Sequence, residues 1–233
     1  MNKEHDINQI QEYYDDFLAS EPGKHSPLAE FEARYNPILS YLQTVSRKGQ
    51  RILDIGCGTG MATEKLTEFG DVYGVDLSPK SIKDLKDNNR CLDAVVSMGE
   101  TPPFGSATFD IIVCTELIEH LIDPNTAIHN MNRILKPGGH LLLSTPNPRY
   151  YPGIKGIAGR ILTRLKGKKV SSGQIIENLI SYRKLESLLR QNGLTINRHY
   201  TVYFHSDIIM RILRLFTPNI GLYQICFARK NSK

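Results

Sequence analysis

Two groupings in the 233-residue sequence have residue types and spacings suited to chemistry. Asp54-Ile-Gly56-Cys57-Gly58-Thr-Gly60 places three glycines within five residues, and Asp76 follows sixteen residues after Gly60. Glycines at that density let the main chain turn tightly and let a ligand approach where a Cβ would obstruct it. A carboxylate at the end of the following strand can accept hydrogen bonds from both hydroxyls of a ribose. Together they point to an adenosine-containing ligand. The second grouping is Glu116-Leu-Ile-Glu119-His120. If this segment is helical, its three polar side chains stand at i, i+3 and i+4 and share one face. Two carboxylates and an imidazole can hold a hard divalent cation such as Mg²⁺, or supply a base near neutral pH. In the alternative reading His120 caps or packs and the glutamates are solvated.

Such groups need elements that deliver them to one edge. Ile7, Ile10, Tyr14 and Phe17 fall at helical spacing and predict a helix that stops at Ser20-Glu21-Pro22-Gly23. A second helix is predicted over 28–45, bent or broken near Asn36-Pro37. From Arg51 onward short apolar runs alternate with helices. Strands are predicted at 52–55, 71–76, 93–97, 109–114 and 140–145. The intervening helices run over 61–69, from Ser78-Pro79, and from Asp123-Pro124 to the turn Lys136-Pro137-Gly138-Gly139. The tail predicts a helix over 182–191 stopped by Gly193, then strands at 195–204 and 222–228. Strands alternating with helices imply parallel βαβ units, an α/β class and an open doubly wound sheet. Sheets of that kind bind ligands beyond the carboxyl ends of their strands.

Composition excludes several classes. With 40% hydrophobic and 23% charged residues, the chain is neither disordered nor fibrous. No apolar stretch approaches the ~18 residues of a membrane-spanning helix, and the polar start lacks a secretory signal, so a cytoplasmic location is expected. Cys57, Cys91, Cys114 and Cys226 form no C-x-x-C pair and read as reduced thiols. Charge is unevenly spread: residues 1–144 hold 13 basic and 21 acidic side chains, and residues 145–233 hold 16 and 3. A basic C-terminal third on an acidic body suggests a face that meets anions.

A dinucleotide site calls for G-x-G-x-x-G, whereas the spacing here is G-x-G-x-G, with Met61 at the position of the third dinucleotide glycine. Asp54 also stands two residues before the first glycine. The segment resembles motif I of the class I S-adenosylmethionine (SAM) dependent methyltransferases. The resemblance runs over about 51–145 and includes VDLS at the second strand end, PPF…ATFDIIVC before and within the fourth strand, and LKPGG before the fifth. It implies a Rossmann-like sheet with a helical cap at 1–48, a SAM-binding domain at 49–233 and an insert at about 147–180. Carried over by position, Gly56, Gly58 and Gly60, with Cys57, would line the methionine and ribose of SAM, and Asp54 would support their loop. Asp76 would hold the ribose, with Leu77 against adenine and Thr115 closing the cofactor set. Met98 stands where many relatives carry an Asp for the adenine amino group. Gly99 and Glu100 follow it, and Glu100 or main-chain carbonyls would substitute.

The segment E-x-x-E-H resembles the metal-associated segment of two O-methyltransferase groups, the ubiquinone-biosynthesis enzymes and the small-RNA 2′-O-methyltransferases. An N-P turn at Asn36-Pro37 and a long insert after the fifth strand favour the quinone type. The resemblance implies methyl transfer to an oxygen of an apolar or lipid-linked small molecule, such as a catechol. His120, with Glu119, would serve as base, or Glu116, Glu119 and His120 would bind Mg²⁺. The alternatives are a sugar, amine or RNA-ribose methyltransferase and a catalytically silent SAM-binding partner protein. Tyr13, Tyr14, Phe17 and Tyr35 either close over the cofactor or simply pack. Residues 154–169 carry an apolar stripe and no acid, the pattern of a helix on an anionic membrane surface or of a lid. Residues 207–216 repeat the theme. A nucleic-acid partner is disfavoured, because no RNA-binding motif is visible and aromatics are not interleaved with the basic run.

Overall fold

The computed structural model describes residues 7–20, 28–148, 178–202 and 221–232. Two helices, α1 (Ile7–Ser20) and α2 (Leu28–Val45), precede the first strand. There follow β1 (Arg51–Ile55), α3 (Met61–Leu66), β2 (Asp71–Asp76), α4 (Pro79–Asp87), β3 (Asp93–Val96) and β4 (Phe109–Thr115). A 3₁₀ turn over Ile118–His120 leads to α5 (Pro124–Ile134), β5 (Leu135–Pro146), α6 (Tyr182–Gln191), β6 (Leu194–Val202) and β7 (Tyr223–Lys230). The sheet order is β3-β2-β1-β4-β5-β7-β6. Strands β1 to β5 are mutually parallel, and β7 is antiparallel to both neighbours. This is the doubly wound, mostly parallel sheet that the alternating pattern predicts.

Period-two alternation divides the sheet's side chains between two cores. Leu53, Ile55, Ile112, Cys114, Leu141 and Leu143 pack with Ala127, Ile128 and Met131 of α5 and Leu185 and Leu189 of α6. Ile52, Ile111, Val113, Leu142, Ile225 and Phe227 point the other way, onto Ile38, Tyr41 and Leu42 of α2 and Leu66 of α3. The C-terminal half of α2 is therefore a layer of the domain, and its N-terminal half extends towards the ligand edge. The helix stays continuous through Pro37, where a bend or a break was open.

The start signals work as capping chemistry requires. Ser78 Oγ accepts from Ser81 N–H and Pro79 opens α4; Asp123 accepts from Asn125 N–H and Pro124 opens α5. Two boundaries depart from the sequence reading. Helix α3 ends at Leu66 rather than 69, because Thr67 and Phe69 close tight turns onto Glu64 and Leu66 carbonyls. Helix α5 ends at Ile134, just before the turn at 136–139, and the turn itself forms a bulge inside β5: pairing runs from Phe109–Leu135 directly to Ile111–His140. All four cysteines are free thiols, three of them buried. No helix among the described residues is long and apolar enough to cross a membrane. The basic stretches at 154–169 and 207–216 lie outside the described residues.

Candidate active site

The glycine loop leaves β1 and is hung on its neighbour strand. Gly56 and Cys57 N–H both donate to Val75 O, at 2.7 and 3.1 Å. Gly56 and Gly60 have φ of +78° and +82°, and a Cβ at Gly60 would lie 2.6 Å from Leu85 Cδ1. Conformation and space both require glycine there. Gly58 N–H donates to Asp76 Oδ2 (2.8 Å), while Ser78 N–H donates to Asp76 Oδ1 (2.9 Å). Each carboxylate oxygen retains a further acceptor direction. Burial raises the Asp76 carboxyl above its ordinary value, opposed by these main-chain donors.

Asp54 is fully buried and accepts from Thr63 Oγ1 of α3 at 2.7 Å, which ties the strand before the loop to the helix after it. Desolvation pushes its carboxyl up to about 7, with the charge of Asp76 adding to the rise. Cys57 corrects the sequence expectation in part. Its side chain packs with Ile82, Leu85 and Ala94 beneath the loop, so only its main chain faces the ligand edge. Thr115 is likewise engaged, with its hydroxyl bonded to Tyr35 of α2. Tyr35 in turn stacks on Phe31 at 4.3 Å and packs with Ala62 of α3.

Leu77, Met98 and Gly99 are half-buried along the same edge. Leu117, unassigned by the sequence, fills the gap between the glycine loop and the end of β3. A Cβ on Gly56 or on Gly99 would meet its Cδ2 at 3.0 Å. Glu100, considered as an adenine contact, is occupied instead in structure: its Oε1 accepts from Ile122 N–H at 2.8 Å, and its carbonyl accepts from Asn130 Nδ2 at 2.8 Å.

The cluster after β4 differs from the helical face that its spacing suggests. Glu116 has φ +52°, a left-handed conformation that ends the strand, and only 118–120 form a single 3₁₀ turn. Glu116 is held there by β5: its N–H donates to Ser144 O (3.0 Å) and its Oε1 accepts from Ser144 Oγ (2.7 Å). Its Oε2 lies 3.7 Å from Arg34 Nη1, and the Arg34 guanidinium sits 4.7 Å over the Tyr223 ring. Glu119 accepts from Thr145 Oγ1 at 2.9 Å. The shared helical face of Glu116, Glu119 and His120 is thus replaced by a strand end and a single 3₁₀ turn, and a metal centre at these residues finds no support among the described residues. A protein hydroxyl takes one oxygen of each carboxylate, and no group of three His, Cys, Asp or Glu among the described residues is arranged to hold a metal.

Glu119 and His120 remain together, with Nε2 3.7 Å from Oε1 and side chains 11% (His120) and 1% (Glu119) exposed. Burial, then the charge of Glu116, holds the Glu119 carboxyl well above its ordinary range. Asn178 secures this turn from the far side of the chain, donating through its N–H to Glu119 O (2.6 Å) and through Nδ2 to Leu121 O (3.2 Å). The imidazole is thus the accessible member of a buried pair, at the carboxyl end of the strand next to β1.

A doubly wound sheet whose glycine loop is bonded to the acid ending β2 defines a Rossmann-like protein built for a nucleoside cofactor. Comparison with known proteins narrows this. Residues 28–199 match the Methyltransferase domain family. The chain is 32% identical over 200 residues to the ubiquinone biosynthesis O-methyltransferase of Bordetella avium, covering 81% of this chain and 82% of that one. It is 31% identical over 195 residues to the mitochondrial ubiquinone biosynthesis O-methyltransferase of Bos taurus, covering 76% of this chain. The match spans about half (52%) of that mitochondrial relative. A SAM-dependent methyltransferase from Methanosarcina mazei superposes with a TM-score of 0.64 at 18% identity, over 83% of this chain and 98% of that one, a likeness of fold alone. The chain belongs to the class I SAM-dependent methyltransferases.

Proposed function

We propose that this enzyme transfers a methyl group from SAM to an oxygen of an apolar small molecule, a lipid-linked catechol being the favoured acceptor. The observation that carries the reading is the Glu119–His120 pair at the end of β4, one strand from a glycine loop bonded to Asp76. The names of the Bordetella and bovine relatives support oxygen as the acceptor atom.

When bound, SAM supplies a methyl group on a sulfonium, poised for in-line displacement. The chain's own tasks are then positioning and proton management. Asp76 would accept from the ribose hydroxyls, the main chain of 56–60 would hold the methionine part, and Leu77, Met98 and Leu117 would border the adenine. A phenol has a pKa of ~10, so its oxygen is a weak nucleophile at neutral pH. The His120 imidazole, paired with Glu119 through Nε2, would accept the proton of the acceptor hydroxyl as that oxygen takes the methyl group. Glu119, fixed by Thr145, orients the imidazole.

The acceptor's lipid character connects to the basic stretches 154–169 and 207–216. Their described flanks converge at this edge: Asn147 N–H donates to Leu222 O (2.7 Å), and Leu222 N–H donates to Val202 O (3.0 Å). An anionic membrane surface is the proposed partner. Flotation with phosphatidylglycerol vesicles at low salt tests this, and its absence overturns it. The reaction itself is tested by incubating the protein with methyl-labelled SAM and a prenylated catechol in detergent. The expected result is a labelled methyl ether that is lost in His120→Ala. Label on nitrogen, or none with any phenol, overturns the reading.

A further inference from the structure

Tyr14 lies on α1, an element outside the glycine loop and the Glu119–His120 turn, yet its ring stands beside His120 and its hydroxyl is within reach of the charges of Glu119 and Asp76. Its ring stands 6.4 Å from that of His120 in an edge-on arrangement, and 5.3 Å from Tyr13. The carboxylates that act on its hydroxyl are, in order of strength, Glu119, Asp76 and Glu100. One belongs to the acceptor side, one to the ribose side and one to the turn behind the adenine edge. Tyr14 thus sits at the junction of the two halves of the site.

The seat of α1 explains this placement. Asp15, the next residue, accepts from Ser78 Oγ and, at 3.4 Å, from Lys80 N–H. Asp16 adds an exposed ion pair with Lys80 at 3.5 Å. These contacts dock α1 on the start of α4, two residues beyond Asp76. The side chain before Asp15 is thereby carried to the cofactor edge.

The Tyr14 hydroxyl is buried and has no hydrogen-bond partner among the described residues. A buried phenol donor left unmatched is unfavourable, and native proteins seldom keep one without a use. The nearby carboxylates raise its pKa further above the ordinary tyrosine value, along with burial, so the group is a neutral hydroxyl at any working pH. It can donate one hydrogen bond and accept another.

We infer that Tyr14 is a cofactor-contacting residue whose hydroxyl finds its missing hydrogen-bond partner on bound SAM, on the side of the cofactor that faces the acceptor. The inference rests on the methyltransferase reading and adds to it a contact from outside the glycine-loop motif. The ring, edge-on to His120, borders the junction of the two halves of the site.

The test compares wild-type full-length protein with Tyr14→Phe, which keeps the ring and removes only the oxygen. Calorimetry with SAM and S-adenosylhomocysteine is paired with thermal melts, ligand-free and saturated. The expected result is a Kd for SAM weakened about 5- to 10-fold, the loss of one hydrogen bond. The ligand-free Tm should be unchanged or raised, because an unmatched polar group has been removed. A wild-type Kd with a lowered ligand-free Tm assigns Tyr14 a structural role and overturns the inference. Failure of the wild-type protein to bind either ligand overturns the cofactor reading beneath it as well.

Discussion

Tyr35 on α2 and Thr115 at the end of β4 share a buried hydrogen bond between their hydroxyls across 80 residues of chain. It joins the helix that covers the glycine loop to the strand that delivers Glu116. Either hydroxyl alone would be left buried and unmatched, at ~1–3 kcal/mol. Tyr35→Phe is expected to lower stability by about that amount in urea unfolding. The double change with Thr115→Val should recover part of the loss, and strictly additive losses would show that the two groups do not interact.

Asp76 is both a loop fastener and a ligand acceptor. Asp76→Ala removes the partners of Gly58 and Ser78 N–H together with the proposed ribose contacts. Affinity for S-adenosylhomocysteine should fall on the order of 100-fold, measured by calorimetry. Asp76→Asn, which keeps one acceptor oxygen, should fall less. Near-normal binding by the alanine variant would mean the ribose is held elsewhere.

Asp54 should imprint a pH dependence on the ligand-free protein. Its carboxyl is near 3.8 in the unfolded chain and about 7 when folded. Between those values the folded state binds more protons, so stability falls as pH rises from about 4 to about 7, with the full cost present above 7 and none below 4. The difference bounds the effect at roughly 4 kcal/mol. Asp54→Asn, whose amide oxygen can still accept from Thr63, should flatten the dependence of Tm on pH across that window. An unchanged slope would assign it to other groups.

Asp15 is the docking point of α1 on α4. Asp15→Ala is expected to accelerate hydrogen exchange across 7–20 while costing less than about 1 kcal/mol of global stability, as befits a locally opening element. Exchange unchanged in α1 would place its anchorage elsewhere.

Much of this architecture is readable along the chain because its causes are local. Ser78-Pro79 and Asp123-Pro124 start helices through their own caps, and the run FDIIVC marks a strand buried on both faces. The glycine loop is legible for the same reason, since its spacing reflects steric needs within a few residues. The turn at 136–139 is legible in part: its Pro-Gly-Gly chemistry marks the helix stop at Ile134, but that it is also a bulge inside β5 depends on the pairing of His140 with Ile111.

The site divides along the same line. The sequence by itself determined the α/β order, the glycine loop and the acid that ends β2, since these follow from short-range sterics and from alternation of apolar residues. Tertiary structure alone decided that Glu116 adopts a left-handed conformation bonded to Ser144, that Cys57 and Thr115 face the interior, and that Leu117 fits between two glycines. It also decided that α1 carries Tyr14 to His120. Each of these depends on which distant strand or helix is adjacent, and neither the residue types nor their spacing encode that adjacency one segment at a time.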